Sequence, residues 1–171
     1  MLRFDIEQKW NGRPSTRRER VIVVVEDDGD CLKVVVDAPF HGDPAPEGPP
    51  GSTPGLWDHE VVELFIAGAG TEYLELEFGP FGHYLALSFS DVREQSGGPH
   101  ALEYRTAVLK HAWTGTARVP RALLPAGPYR MNATAIHGHP VRHRRFLSAQ
   151  VLPGAKPDFH QPEHFRPVER P

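Results

Sequence analysis

Val21-Ile22-Val23-Val24-Val25-Glu26-Asp27-Asp28-Gly29-Asp30-Cys31-Leu32-Lys33-Val34-Val35-Val36 is two runs of β-branched residues around an Asp-Gly pair. Branched side chains are stiff at χ1 and fit a pleated surface, while Asp-Gly tolerates the positive φ that a tight hairpin turn demands. Closing the turn over residues 27–30 pairs Val25 with Leu32, Val23 with Val34 and Val21 with Val36, which makes one face wholly apolar. The other face carries Ile22, Val24 and Val35 beside Lys33 and Glu26, so the pair is expected inside a sheet with its charged ends near the edge.

Downstream the same logic repeats. Glu60–Ile66, Glu72–Phe78 and His83–Phe89 read as a three-stranded meander, the last two joined by Gly79-Pro80-Phe81-Gly82, which suits a type I turn. Strands are also expected around Leu102–Leu109, Trp113–Val119 with Trp113 facing the core, Tyr129–His137 and Phe146–Leu152, and a helical turn over Pro120–Leu124. Eighteen prolines and sixteen glycines punctuate these runs, and many strands with little helix predict an all-β antiparallel two-sheet β-sandwich of the jelly-roll type. At 171 residues, 1–171 reads as one domain.

Between Val36 and the meander lies a long connection, residues 37–58, with six prolines and four glycines. Proline lowers the entropy cost of ordering, so this segment reads as a rigid lid or edge cover that delivers Trp57 and Asp58 to the next strand.

Simple registers through the meander set Val62 against Leu76 and Leu64 against Leu74, and these against Leu85 and Leu87. The opposite face then gathers Glu63, Glu75 and Glu77 with Tyr73 and Tyr84, and places Glu63 directly across from Glu75. Facing carboxylates require an offset: solvent, a cation, Arg105 or Lys110 from a neighbouring strand, or a hydroxyl-rich ligand. Rings beside acceptor carboxylates suit a sugar, because rings cover C–H faces while carboxylates take hydroxyl protons. The expected ligand-binding set is Trp57, Glu63, Tyr73, Glu75, Glu77, Tyr84, His137 and His160, and the favoured role is non-catalytic binding of a carbohydrate-like or polar metabolite.

Two other roles stay open. The same carboxylates with His137 or His160 could act as acid and base on a small sugar-like or carbonyl substrate, and the long loop could dock a protein partner. No catalytic motif of known spacing occurs, and no cofactor is required by the residues. A structural calcium held by Asp58 and Glu60, or a metal on His137-Gly138-His139 with His143, His160 or His164, are the metal alternatives.

A formal net charge of −3 argues against nucleic acid as a partner, despite the basic clusters Arg13/Arg17/Arg18/Arg20 and Arg142/Arg144/Arg145. Cys31 is the sole cysteine, so no internal disulfide can form. The first residues lack the apolar run of a secretory signal, and no stretch approaches the roughly 20 apolar residues of a membrane span; a cytoplasmic location and no membrane partner are expected. Oligomeric state is not legible.

Several segments carry a resemblance. Ala38-Pro39-Phe40 through Asp43-Pro44, Pro50-Gly51 and the Leu56-Trp57-Asp58 run, Tyr73-Leu74-Glu75-Leu76-Glu77, Trp113-x-Gly115-x-Ala117, Ala135-Ile136-His137-Gly138 and Lys156-Pro157-Asp158-Phe159-His160 look like a widespread family of uncharacterised cytosolic proteins. That family in turn resembles type 9 carbohydrate-binding modules, which are DOMON-like β-sandwiches. The resemblance implies a sugar end held by aromatic side chains and, as in many such modules, bound calcium.

Overall fold

The computed structural model describes residues 1–171. Its strands are β1 (Leu2–Ile6), β2 (Val21–Asp28), β3 (Cys31–Pro39), β4 (Gly51–Ser52), β5 (Val61–Ala67), β6 (Tyr73–Phe78), β7 (His83–Asp91), β8 (Glu94–Gly97), β9 (Glu103–Val108), β10 (Ala112–Pro120), β11 (Tyr129–His137), β12 (Arg145–Ser148) and β13 (Arg166–Val168). Helix is limited to 3₁₀ turns such as Leu56–Asp58 and Arg121–Leu123. One sheet runs β1-β2-β3-β10-β9. The larger runs β12-β11-β5-β6-β7-β4, with β13 added on β11 and β8 on β7. The chain is an all-β sandwich, as its alternation predicts, with Trp113 buried in the core between the sheets. No helix is long and apolar enough to cross a membrane.

The opening hairpin turns tighter than expected. Gly29, at φ 66°, takes the first turn position, Asp28 pairs with Cys31, and Val25 meets Val34 rather than Leu32. A shift by two residues leaves every side chain on its expected face. β1 is a strand beyond those expected: Leu2, Phe4 and Ile6 alternate with Arg3 and Asp5 and pair along β2.

The proline-rich connection is an edge cover. Gly51 and Ser52 pair in parallel with His83 and Tyr84 of β7, and the Thr53 amide donates to the Tyr84 carbonyl. Further along the same rim the His100 amide donates to the Ala86 carbonyl, and β8 pairs with Ser88, Phe89 and Asp91. Glu60 ties the start of this connection to the start of β5: its carboxylate accepts from the amides of His41 at 3.1 Å and Asp43 at 3.4 Å.

Candidate functional site

The larger sheet buries both of its faces. Its outer face carries a second apolar cluster in which Val61, Phe65, Tyr73, Leu85, Leu87, Phe89 and Ile136 are roofed by Trp10, Leu56, Leu152, Phe159 and Phe165. Glu63, Glu75 and Glu77 belong to this outer face and are buried with it, at 3%, 5% and 0% exposure. The sequence places the carboxylates together by period-two alternation alone: 63 and 65 on β5, 73, 75 and 77 on β6.

Their neighbours differ from the expected ones. Glu63 lies across from Glu77, and Glu75 across from Phe65, because the β5–β6 loop occupies residues 68–72. On β6–β7 the slip is by one residue. Gly82 at φ 84° extends the Pro80-Phe81 turn to a three-residue loop, a type I turn closed by a left-handed glycine, and Gly79 donates to the His83 carbonyl at 2.9 Å. An odd shift exchanges faces. Leu85 and Leu87 therefore flank the glutamates, opposite Glu77 and Glu75, while Tyr84 moves to the inner face. Tyr84 is thus not a residue of the acidic face; its hydroxyl accepts from the Leu102 amide at 3.1 Å.

Oxygen atoms of Glu63, Glu75 and Glu77 all lie within 4.8 Å of one another. Glu63 accepts a 2.5 Å bond from the Thr134 hydroxyl of β11. Glu77 has no hydrogen-bond partner for either oxygen; the Trp57 amide lies near it outside hydrogen-bonding geometry. Burial pushes Glu63 up to about 7. Burial and then repulsion from Glu63 push Glu75 up to about 8, and Glu77, buried beside both, is raised well above the ordinary carboxylate range. Neither Arg105, on β9 of the other sheet, nor Lys110, in the β9–β10 turn, neutralises them. The guanidinium groups that act on them are Arg93 and Arg144. Both are engaged elsewhere, Arg93 with Asp158 at 2.8 Å and Arg144 with the carbonyls of Trp57 and Asp58.

Above the glutamates opens a cavity of about 410 Å³. Glu63 and Glu75 line its floor, Trp57, Phe89, Phe146 and Phe159 supply aromatic walls, and Arg93, Asp158 and His160 form a polar side. The polar side is internally ordered. The Tyr73 hydroxyl accepts from the Arg93 amide at 3.0 Å and shares a 2.7 Å hydrogen bond with His160 Nδ1. The other ring nitrogen, Nε2, lies 3.8 Å from Glu75 Oε1. Burial, then Arg93, holds His160 down near 4, so it is neutral at physiological pH. Arg93 sits at φ 62°, an uncommon conformation for a residue with a side chain, in the tight turn between β7 and β8.

Of the residues expected to bind ligand, Trp57, Glu63, Glu75 and His160 line this cavity; Tyr73 and Glu77 stand behind it. His137 does not join them. It ends β11 in a separate cleft with Glu19, His41, Asp43, His139, His143 and Arg145. His41 and His137 stack face to face, ring centres 3.6 Å apart, and no three metal-ligating atoms of this cleft gather as those of the glutamates do. Asp58 is exposed, and the Glu60 carboxylate accepts from the His41 and Asp43 amides. Sequence reasoning missed Arg93, Gln95, Phe146 and Asp158 as cavity residues. Only the Asp158-Phe159-His160 segment carried a signal, through the resemblance.

The second cleft has a pH signature. Burial, and then the neighbouring His41, pushes His137 down to about 4 from 6.5. A histidine depressed in the fold binds its proton more readily when unfolded. Its contribution is complete above 6.5 and drains as pH falls toward 4, by at most about 1.4 kcal/mol per pH unit. His137→Phe keeps a ring against His41 and removes the titration. Melting temperatures from pH 7.5 to 5 are expected to shift in the variant's favour, relative to wild type, as pH falls; a constant difference would contradict this.

No family model matches the chain. It is similar to the UPF0462 protein C4orf33 homolog of Danio rerio, 37% identical over 172 residues covering 95% of this chain and 86% of that one. Among solved structures, a candidate carbohydrate-binding protein from Bacteroides uniformis superposes with a TM-score of 0.76 at 15% identity, over 97% of this chain and 84% of that one. A family 9 carbohydrate-binding module from Caldicellulosiruptor kristjanssonii, solved with glucose, superposes with a TM-score of 0.56 at 11% identity, over 86% and 73% of the two chains. These structural likenesses establish the fold.

Proposed function

The chain belongs to the UPF0462 family, and we propose that it is a non-catalytic binding protein for a carbohydrate-like or other polar, hydroxyl-rich small molecule. The observation that carries this reading is the cavity itself: aromatic walls at Trp57, Phe89, Phe146 and Phe159 over a floor of acceptor carboxylates at Glu63 and Glu75. Flat rings cover the C–H faces of a polyol, and carboxylates take its hydroxyl protons. The fold likeness to a module solved with glucose supports the same class of ligand. The cavity's size suits one or two sugar rings, within the usual range of about 300–1,000 Å³ for small-molecule sites.

Trp57 makes the test direct. It is 45% exposed at the cavity, whereas Trp10 is at 9% and Trp113 at 0%, so a ligand entering changes the emission of one indole. Titration with glucose, cellotriose, and amino and phosphorylated sugars is expected to give a saturable change for at least one, absent in Trp57→Phe. Glu75→Gln is expected to keep the fold and lose the thermal shift which that sugar produces. A shift that survives Glu75→Gln places binding elsewhere.

One observation favours a second reading, acid–base catalysis: the run from Tyr73 through His160 to Glu75 sets an imidazole nitrogen beside a carboxyl that burial and Glu63 push up to about 8. Turnover of a bound sugar, lost in Glu75→Gln with binding retained, would promote it.

A further inference from the structure

We infer that Glu63, Glu75 and Glu77 form the protein side of a site for a hard divalent cation, calcium foremost, at the floor of the cavity, where ligand hydroxyls complete its coordination. This deepens the proposed sugar-binding role and rests on it only for the identity of the outer ligands. Three features of the geometry carry it.

The first is donor chemistry and spacing. The donors are carboxylate oxygens, the choice of hard cations, and their mutual distances of at most 4.8 Å match oxygens arranged around an ion at bond lengths of about 2.3–2.6 Å. The second is Glu77. A carboxylate at 0% exposure with both oxygens unpartnered is costly to bury, and one of its oxygens lies within 4.8 Å of an oxygen of each of the other two glutamates. No protein cation meets the demand, because Arg93 bonds Asp158 and Arg144 bonds main-chain carbonyls.

The third is access. Glu63 and Glu75 line the open cavity while Glu77 lies beneath it. An ion here has protein on one side and free positions on the other, and calcium takes six to eight oxygens. Water fills those positions in the absence of ligand, and vicinal hydroxyls of a polyol displace it. The histidine-rich cleft lacks this arrangement, because no three ligating atoms gather there as those of the glutamates do.

The experiment uses the full chain stripped with EDTA and titrated by calorimetry with calcium chloride, and with manganese chloride followed by electron paramagnetic resonance. One saturable site is expected, weakened at least tenfold in Glu77→Gln and in Glu75→Gln, each checked for an unchanged circular dichroism spectrum, and unaltered in the exposed-site control Glu163→Gln. Absence of saturable uptake by the wild-type protein overturns the assignment, as does uptake that neither cavity variant weakens. Sugar binding that persists undiminished in EDTA leaves the binding role standing and removes the cation. Cation uptake without any sugar response supports the cation site and removes the sugar.

Discussion

In the presence of a chelator, Glu77→Met is expected to melt higher than the wild-type protein. Glu77 sits at 0% exposure, across from Glu63 and opposite Leu85, with neither oxygen hydrogen-bonded. An unsatisfied buried polar group costs about 1–3 kcal/mol and a charged one more. Methionine is close in length, unbranched, and fills irregular space without an unmet polar demand. Removing Glu77 also relieves the repulsion that Glu63 and Glu75 impose on one another's neighbour. The gain corresponds to about 2–4 °C for each kcal/mol in a chain of this size. Scanning calorimetry in EDTA measures it, and a lower melting temperature with an unchanged fold would show that Glu77 is satisfied where it stands. In saturating calcium the order is expected to reverse, since an ion that binds only the native wild type stabilises it by mass action. Stability lost to retain a residue that only a ligand rewards is the signature of a site rather than of a scaffold.

Trp113→Ala is expected to have the largest effect of opposite sign. The indole is fully buried between the sheets, on β10 across from Ala38 and Val108. Gly115 lets Tyr104 and this ring pack close, since a Cβ there would come within 2.6 Å of the Tyr104 hydroxyl and 3.1 Å of the indole. Truncating a buried tryptophan leaves a cavity that rigid sheets cannot close, at a cost of about 3–5 kcal/mol. Urea unfolding should report that loss with an unaltered m-value. A loss under about 1 kcal/mol would mean that the two sheets collapse onto the gap. The outer-face cavity lies on the far side of the larger sheet, so binding by the folded fraction should persist.

The two variants also mark what could be read from the residues. Alternation and the Asp-Gly turn were enough for the sandwich, the burial of Trp113 and the gathering of Glu63, Glu75 and Glu77 on one face. Register was harder. Loop composition does not say how many residues a turn consumes, and the penalty for error depends on parity. The even shifts at Gly29 and at residues 68–72 changed partners and kept faces. The odd shift at Gly82 exchanged Tyr84 for Leu85 and Leu87. The cavity's roof was invisible for a different reason. Arg93 and Asp158 reach it from a turn and an irregular segment that carry no period, Phe146 from the edge strand β12, and they meet only through contacts distant in sequence, such as Arg93 with Asp158. The spacing of His137 with His139 and His143 in the chain suggests a shared site. In the fold His137 serves a polar cleft around Glu19, whose carboxyl burial pushes up but whose bonds to Arg145 and Thr16 hold it near 2.

The rim of β7 has one more consequence. Its free side is met in turn by the proline-rich connection at His83 and Tyr84, by the His100 amide at Ala86, and by β8 beyond, so no run of unsatisfied amides is left there as a template on which a second copy could polymerise. Prolines that look like a spacer in the chain act along this rim as a guard against edge-to-edge aggregation.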